Sequence, residues 1–232
     1  MCGRYTIIAT AEEIKQRFNV VVPKEFTNKY NAAPTQILPV ITNESPEGVS
    51  FFYWGLIPKW SKENSISQKL FNARAETIDQ KATFKSALNQ RRCLVIADGF
   101  YEWKVVGKKT KIPYRIKLKN DNLFAFAGLW EEFEDNSGEV MHTFTIVTTT
   151  ANQTVSQIHD RMPVILQKSN EKRWLDDSLT VDEHLELLKP VDSDFITMHT
   201  VSPLVNNVRN DSPELIKFVP PADQFGNYTL FN

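Results

Sequence analysis

Residues 112–131, IPYRIKLKNDNLFAFAGLWE, decide the fold class of this chain, because two runs of alternating side chains flank Asn120 and Asp121. Alternation of apolar and polar residues is typical of β-strands, and turn-forming residues between two such runs favour a hairpin. The run TFTIVTTT at residues 143–150 repeats the pattern after a second turn at residues 136–138. We therefore predict consecutive antiparallel strands in the middle of the chain.

Strand-like runs also lie on both sides of this stretch, whereas the helical patterns are short and few. The runs are GRYTII (3–8), ILPVIT (37–42), VSFFYWGLI (49–57), RRCLVIADGFYEWK (91–104) and FITMHTV (195–201). Thr10 and Glu13 form a capping-box pattern that begins a helix ending near Phe18. Further helices are predicted near residues 80–89, 152–157, 169–176 and 181–188. YNAAPTQ (30–36) is predicted to be irregular because Pro34 is unsuited to a central strand, and GKK (107–109) to be a turn.

These patterns predict an α+β fold with a largely antiparallel β core, barrel-like or sandwich-like, and peripheral helices. A chain of 232 residues can bury one sizeable core. We expect a single domain over residues 1–232, with the core at about 2–218 and a polar tail at 219–232.

Composition excludes several classes of protein. No apolar run approaches ~18 residues, so we expect a cytoplasmic protein that does not enter membranes. Cys2 and Cys93 provide neither a disulfide framework nor a zinc pattern, and the four histidines show no ligand spacing. We therefore expect no metal and no cofactor, with Cys93 buried in a strand. The net charge is −1, but residues 1–117 carry +9 and residues 118–232 carry −10, which is compatible with one basic face.

The N-terminus, Met1-Cys2-Gly3-Arg4, carries the most specific chemistry. Removal of Met1 would leave Cys2 with an amine of pKa ~7.7–8.0 beside a thiol of pKa ~8.5. Such a 1,2-aminothiol can form an imine with an aldehyde, after which the thiol closes a thiazolidine ring. The residues alone also allow Cys2 to be an accident of the start of the chain.

Four polar segments at predicted strand ends are candidates to lie around Cys2: NARAET, DGFYEW, TTTAN and IHDRMPVIL. Glu102 lies between aromatic residues, which indicates a carboxyl group whose pKa is raised by burial, although a surface glutamate fits the pattern too. His159 could act as an acid or base, and Asn72 could orient a carbonyl group. A structural histidine and an asparagine in a turn are the alternatives.

Six blocks occur in an order that resembles the SOS-response-associated peptidase family of abasic-site processing proteins: MCGRY, YNAAP, WGLIPKW, FNARAET, ADGFYEWK and IHDRMPVIL. The resemblance runs from Cys2 to about Trp174 and is looser afterwards. It implies a protein that removes its own Met1 and crosslinks itself through Cys2 to an abasic site in single-stranded DNA, with crosslink reversal and weak lyase activity as further expectations.

The resemblance also implies a role for individual residues. Cys2 corresponds to the nucleophile, Asn72 to the residue that senses and orients the sugar, Glu102 to the acid–base group and His159 to the residue that stabilises the bound sugar. The residues expected to hold phosphates or line the path of the strand are Arg4, Arg74, Arg161, Pro34, Trp60, Thr148 and Thr149.

The expected partner is single-stranded DNA that contains abasic sites, bound by a monomer that joins the nucleoid when it engages DNA. The replication machinery is a candidate second partner. Two rival functions stay open: an N-terminal-nucleophile hydrolase similar to the glutamine amidotransferases, which also begin Met-Cys-Gly, and a non-covalent binding module for single-stranded or modified DNA.

Overall fold

A computed structural model gives the fold of the chain and describes residues 2–61, 70–106, 110–135 and 137–228. Thirteen strands are found in these ranges: β1 Tyr5–Ile7, β2 Lys29–Ala32, β3 Ile37–Thr42, β4 Ser50–Trp54, β5 Asn72–Arg74, β6 Arg92–Ala97, β7 Gly99–Val106, β8 Thr110–Leu118, β9 Phe124–Glu134, β10 Val140–Thr150, β11 Arg161–Pro163, β12 Ile165–Leu166 and β13 Ile196–Thr200. The α-helices there are α1 Ala11–Phe18, α2 Ala82–Gln90, α3 Lys168–Leu175 and α4 Val181–Leu185.

Five of the strands close into a ring. They are hydrogen-bonded in the order β10, β4, β3, β6 and β9, and β9 pairs with β10 again. The ring is antiparallel except at one step, where β10 and β4 run parallel with Phe144 opposite Trp54. The barrel-like core predicted from the alternating runs is therefore confirmed, since closure of the ring leaves these five strands without a free edge.

A second, open sheet holds the N-terminal strand. Its strands follow the order β13, β8, β7, β1 and β2, and every neighbouring pair is antiparallel. The carboxylate of Asp98, just before β7, accepts hydrogen bonds from the Ile8 backbone N–H (3.1 Å) and from Arg115 of β8 (2.5 Å). These bonds hold β1 in register beside β7.

The core lies inside the ring and between the ring and the open sheet. Tyr5 packs edge-on against Trp54 and Phe126, with ring centroids 5.0 and 5.9 Å apart. Gly128 is required on β9 because a Cβ atom there would lie 2.7 Å from Sγ of Cys93. Cys93 is fully buried on β6, as predicted.

The positions of most predicted elements are confirmed, and a few are wrong. The capping box of Thr10 and Glu13 is present and α1 ends at Phe18. Residues 30–32 of the segment predicted to be irregular lie in β2, because their backbone pairs with β1. The helix predicted at 152–157 is a single 3-10 turn, Val155–Gln157, and α4 ends at Leu185 instead of residue 188. The predicted turn at 107–109 lies outside the described residues.

Candidate active site

Cys2 lies at the start of the open sheet and is completely buried. Its carbonyl oxygen accepts a 2.8 Å hydrogen bond from Nδ2 of Asn72, the first residue of β5. The backbone N–H of Tyr101 donates to the Arg4 carbonyl (3.0 Å), which fixes the N-terminal segment against β7. Two of the residues predicted for the site, Cys2 and Asn72, are therefore in direct contact although 70 positions separate them.

Glu102 lies on β7, two residues after Phe100, which pairs with Tyr5 of β1. Continuing this antiparallel register brings Glu102 beside Gly3 and hence next to Cys2. The side chain is only 3% exposed. Burial raises the pKa of the Glu102 carboxyl, and the positive charges of the amino terminus and of His159 oppose the rise.

The thiol of Cys2 responds to the same surroundings. Burial, and after it the Glu102 carboxylate, raise the pKa of the Cys2 thiol, so the sulfur is held as a neutral thiol at pH 7. Because the thiolate is the nucleophilic form, burial keeps the sulfur unreactive until a base takes its proton.

His159 follows the 3-10 turn Val155–Gln157 and is partly exposed. The backbone N–H of Arg161 donates to Nδ1 of His159 over 2.9 Å. The same nitrogen lies 3.2 Å from the Arg161 carbonyl oxygen and 3.1 Å from Oδ1 of Asp160, so these neighbours hold the ring in place. The electrostatic effect of His159 on Glu102 indicates that the ring faces the same site.

Strand β10 brings the basic residues together. It pairs with β5, where Thr148 lies opposite Arg74, and with β11, where Thr150 lies opposite Arg161. Arg74 is exposed. Arg161 makes a bidentate ion pair with Glu76 (2.6 and 2.9 Å) and also donates to the Thr148 carbonyl (2.8 Å).

The other residues predicted to contact DNA differ in their exposure. Thr148 and Thr149 are both buried, and Thr148 accepts hydrogen bonds from Arg161. Trp60 is 63% exposed and Pro34 is half-buried. Their contacts with DNA stay predictions.

Arg4 has a structural role that the sequence did not indicate. Its guanidinium donates to Oδ1 of Asn31 (3.1 Å) and to the carbonyl oxygens of Val205 (2.6 Å) and Asn206 (3.2 Å). Its predicted contact with a phosphate has to coexist with these bonds or replace one of them.

Two residues at the site were missed by reasoning from the sequence. Asn31, which is buried, donates to the carbonyl oxygens of Val205, Asn207 and Asn210 and so attaches the C-terminal segment to the N-terminus. Glu76 pairs with Arg161. Both lie inside blocks singled out above, YNAAP and FNARAET, and a polar residue between Tyr30 and Ala32 was the available signal for Asn31.

Residues 2–61, 70–106, 110–135 and 137–228 hold no group of three or more His, Cys, Asp or Glu side chains that could bind a metal ion. Within the same ranges no helix is long and apolar enough to cross a membrane.

Comparison with known proteins gives the family. The model of the family described as SOS response associated peptidase (SRAP) matches residues 1–208. This chain belongs to the SRAP family. The abasic site processing protein YoqW of Bacillus subtilis (strain 168) is 47% identical over 222 residues, which cover 94% of this chain and 99% of YoqW. The abasic site processing protein HMCES of Rattus norvegicus is 35% identical, over 87% of this chain and 67% of its own length.

A solved structure supports the same assignment. A protein from Bacteroides thetaiotaomicron superposes with a TM-score of 0.86 and 30% sequence identity, covering 94% of this chain and all of that one. The resemblance drawn from the six sequence blocks is therefore confirmed at the level of the SRAP family.

Proposed function

We propose that this SRAP protein, once Met1 has been removed, captures abasic sites in single-stranded DNA as a thiazolidine on Cys2. The supporting observation is the contact of Asn72 with the Cys2 carbonyl (2.8 Å), beside a buried Glu102 and within the electrostatic reach of His159. The names of YoqW and HMCES point to the same damaged substrate.

The amine acts before the sulfur in this proposal. The free amine of Cys2 attacks C1′ of the ring-opened deoxyribose, which is an aldehyde, and loss of one water gives an imine. The thiol then adds to C1′, forming the C–S bond, and its proton is transferred to the imine nitrogen. The raised pKa of the buried thiol favours this order, because the sulfur is a poor nucleophile until the imine is in place.

Glu102 supplies and removes the protons. A carboxyl group whose pKa is raised by burial retains a proton closer to neutral pH, so it can protonate the sugar oxygen and assist loss of water. The resulting carboxylate can accept the proton of the Cys2 thiol. The same exchange run in reverse would open the crosslink, and β-elimination from the imine would give weak lyase activity.

Asn72 and the arginines position the reactants. Oδ1 of Asn72 is buried and has no hydrogen-bond partner in the described part of the chain, so it is available to accept a bond from a sugar hydroxyl. Arg74 is exposed beside it, and Arg161 lies across β10. Neutralising phosphates with these cations makes binding weaken as salt rises.

Removal of Met1 is part of the proposal, and we infer that the chain carries it out itself. Met1 lies outside the described residues, but the bond to be cut is the one that precedes Cys2, whose thiol interacts electrostatically with Glu102. We further propose that the protein acts as a monomer in the cytoplasm, associates with the nucleoid on DNA, and meets abasic sites in the company of the replication machinery.

The proposal is tested by the intact mass of the protein before and after exposure to an abasic oligonucleotide. We expect the purified chain to lack Met1 and to gain the mass of the oligonucleotide less one water. Cys2→Ala should form no adduct, whereas Cys93→Ala, the same change at the other buried cysteine, should form it normally. An alanine inserted between Met1 and Cys2 should also prevent the adduct. An adduct on Cys2→Ala would refute the proposal, and release of ammonia from glutamine would favour the amidotransferase-like alternative.

A further inference from the structure

A second cleft, separate from the Cys2 site, lies between helix α2, the segment 58–60 and strand β9. It has a volume of about 400 Å³. Its lining combines hydroxyl, amide, aromatic and charged side chains: Thr83, Ser86, Gln90, Trp60, Lys59, Arg91 and Glu131, with Pro58 and Ala82. Nothing in the chemistry proposed for Cys2 uses it.

Glu131 carries the argument because its carboxylate is buried and one of its two oxygens lacks a hydrogen-bond partner. The side chain is 3% exposed, Oε1 accepts a 3.2 Å hydrogen bond from Arg91, and the backbone N–H of Lys59 also stabilises the carboxylate. Oε2 has no hydrogen-bond partner among the described residues. Leaving a buried acceptor unpaired is unfavourable, so an unpaired oxygen at a cleft indicates a ligand that donates to it.

Trp60 supplies a flat apolar surface at the same cleft. The side chain is 63% exposed although tryptophan is usually buried. Stacking of a nucleobase on such a ring is favourable whatever the base. The cleft therefore offers a plane and, in Glu131, an acceptor.

The charges of the lining decide between ligands. Lys59 and Arg91 outnumber Glu131, so an amine or guanidinium from a protein partner would meet net positive charge. A neutral planar group with N–H donors, attached to a phosphate backbone, would be attracted instead. Carboxylates accept from the exocyclic amine of cytosine in this way, and thymine has no such amine.

The cleft also lies near the Cys2 site along strand β10. Thr143 pairs with Glu131 on β9, and its hydroxyl accepts a 3.0 Å hydrogen bond from the Ile57 backbone N–H. Three residues further along, Ile146 pairs with Asn72. Three residues along β10 and two strand spacings, from β9 across β10 to β5, place Glu131 and Asn72 roughly 14 Å apart, which is within reach of nucleotides that neighbour an abasic site.

We propose that this cleft binds an unpaired nucleobase with an exocyclic amine, above all cytosine, from the strand that carries the damage. The base stacks on Trp60 and donates its amine hydrogens to Oε2 of Glu131, Arg91 stays paired with Oε1, and Lys59 stabilises the adjoining phosphate. The inference rests on the proposed function for its ligand, single-stranded DNA, but not on the chemistry at Cys2. It predicts that the protein prefers certain DNA sequences around the abasic site.

The test compares oligothymidylates that carry one cytosine at each position in turn, with and without an abasic site. Fluorescence anisotropy should show at least ~5-fold tighter binding when cytosine occupies one position at a fixed distance from the abasic site. Glu131→Gln should reduce this preference to less than twofold. Glu134→Gln, the same change at an exposed position of β9 outside the cleft, should keep it.

Glu131→Gln removes a buried partner of Arg91 and could impair folding, so a second variant is needed. Ser86→Phe fills the cleft from an exposed position of α2 and leaves the carboxylate intact. It should abolish the preference while the circular dichroism spectrum is unchanged. Equal binding of all oligonucleotides by the wild-type chain, or a preference that survives in both variants, would overturn the proposal.

Two further results separate the hypotheses. Base-independent binding of DNA, together with Glu131-dependent binding of an arginine-rich peptide, would assign the cleft to a protein partner and also overturn the proposal. A cytosine preference in anisotropy without any adduct in the mass spectrum would support the cleft and refute the crosslinking function.

Discussion

Glu102 and Glu171 are two buried glutamates whose surroundings differ in one decisive respect. Burial raises the carboxyl pKa of both. Glu171, on α3, receives two hydrogen bonds from Arg17 of α1, at 2.9 and 2.6 Å. Glu102 instead lies among groups that can gain or lose protons, namely Cys2, the amino terminus and His159. The Arg17 guanidinium stays charged and favours the carboxylate form of Glu171, whereas the neighbours of Glu102 can exchange protons with it during a reaction.

The two regions also differ in the space that they enclose. A cavity of about 790 Å³, larger than the cleft beside Trp60, is lined by Arg17 and other residues of α1, α3 and the β8–β9 turn. It contains neither Cys2 nor Glu102. Cavity size is therefore a poor guide to the reactive centre here, and the better guide is a buried carboxyl group beside a buried nucleophile.

The sharpest way to break the comparison is Glu102→Gln, which keeps the size of the side chain and removes its acid. We expect the rate of adduct formation with an abasic oligonucleotide to fall about 10²–10⁴-fold. In the wild type the rate should decline as pH rises through the raised pKa of Glu102, because the acid is then lost, and this limb should be absent from the variant. Single-turnover rates between pH 5 and 9 measure both effects, and equal profiles would remove Glu102 from the proton transfers.

Glu102→Gln also tests the comparison through stability. A carboxyl group with a raised pKa in the folded state stabilises the fold below its unfolded pKa, and that contribution is lost as pH rises through the folded pKa. Thermal melting should therefore show the variant at least as stable as the wild type at pH 8. A lower melting temperature at pH 8 would mean that the charged form of Glu102 is structurally required.

Arg17→Met should do the reverse, costing stability without affecting the chemistry. It leaves Glu171 buried and unpaired, which we expect to lower the free energy of unfolding by about 3 kcal/mol at pH 7. The deficit should shrink as pH falls and Glu171 becomes protonated. Urea denaturation measures the change, and Lys15→Met on the same helix, whose partner Glu12 is exposed, should cost less than about 1 kcal/mol. A loss of adduct in the folded variant would show that the two regions are coupled.

Asn72→Ala should have an intermediate effect, on stability and on the crosslinking rate but not on the binding of undamaged DNA. Without its amide the buried Cys2 carbonyl lacks a donor, which costs about 1–3 kcal/mol, so we expect a roughly tenfold slower adduct. Binding of undamaged DNA, followed by anisotropy, should be unchanged. Asn89→Ala, at an exposed position of α2, is the matched control. Equal loss in both variants would contradict a role for Asn72 in positioning Cys2.

Glu76→Gln should have the smallest effect. Half of Glu76 is exposed and its ion pair with Arg161 contributes little to stability. Releasing Arg161 makes one more cation available for phosphate, so single-stranded DNA should bind slightly more tightly. The slope of log affinity against log salt should steepen by up to ~0.7. Weaker binding would indicate that Glu76 orients Arg161 for its contact with DNA.

Much of the fold was predictable from local patterns. The alternating runs at 112–131 and 143–150 lie in β8, β9 and β10, and Thr10 with Glu13 begins α1, because strand alternation and helix capping depend on neighbours in the sequence. The parallel step between β10 and β4 was not predictable. Parallel pairing joins segments about 90 residues apart and leaves no turn signal between them.

The sequence by itself also determined which reactive groups the chain has, an N-terminal aminothiol and a glutamate between aromatic residues. It also contains the blocks that mark the SRAP family. Only the tertiary structure decided which of these groups meet. It brought Asn72 to the Cys2 carbonyl, paired Arg161 with Glu76, used Arg4 to hold the C-terminal segment and left one oxygen of Glu131 unpaired. The physical reason is that burial and hydrogen bonding between distant segments depend on strand register, which long-range packing sets and no local stretch of sequence encodes.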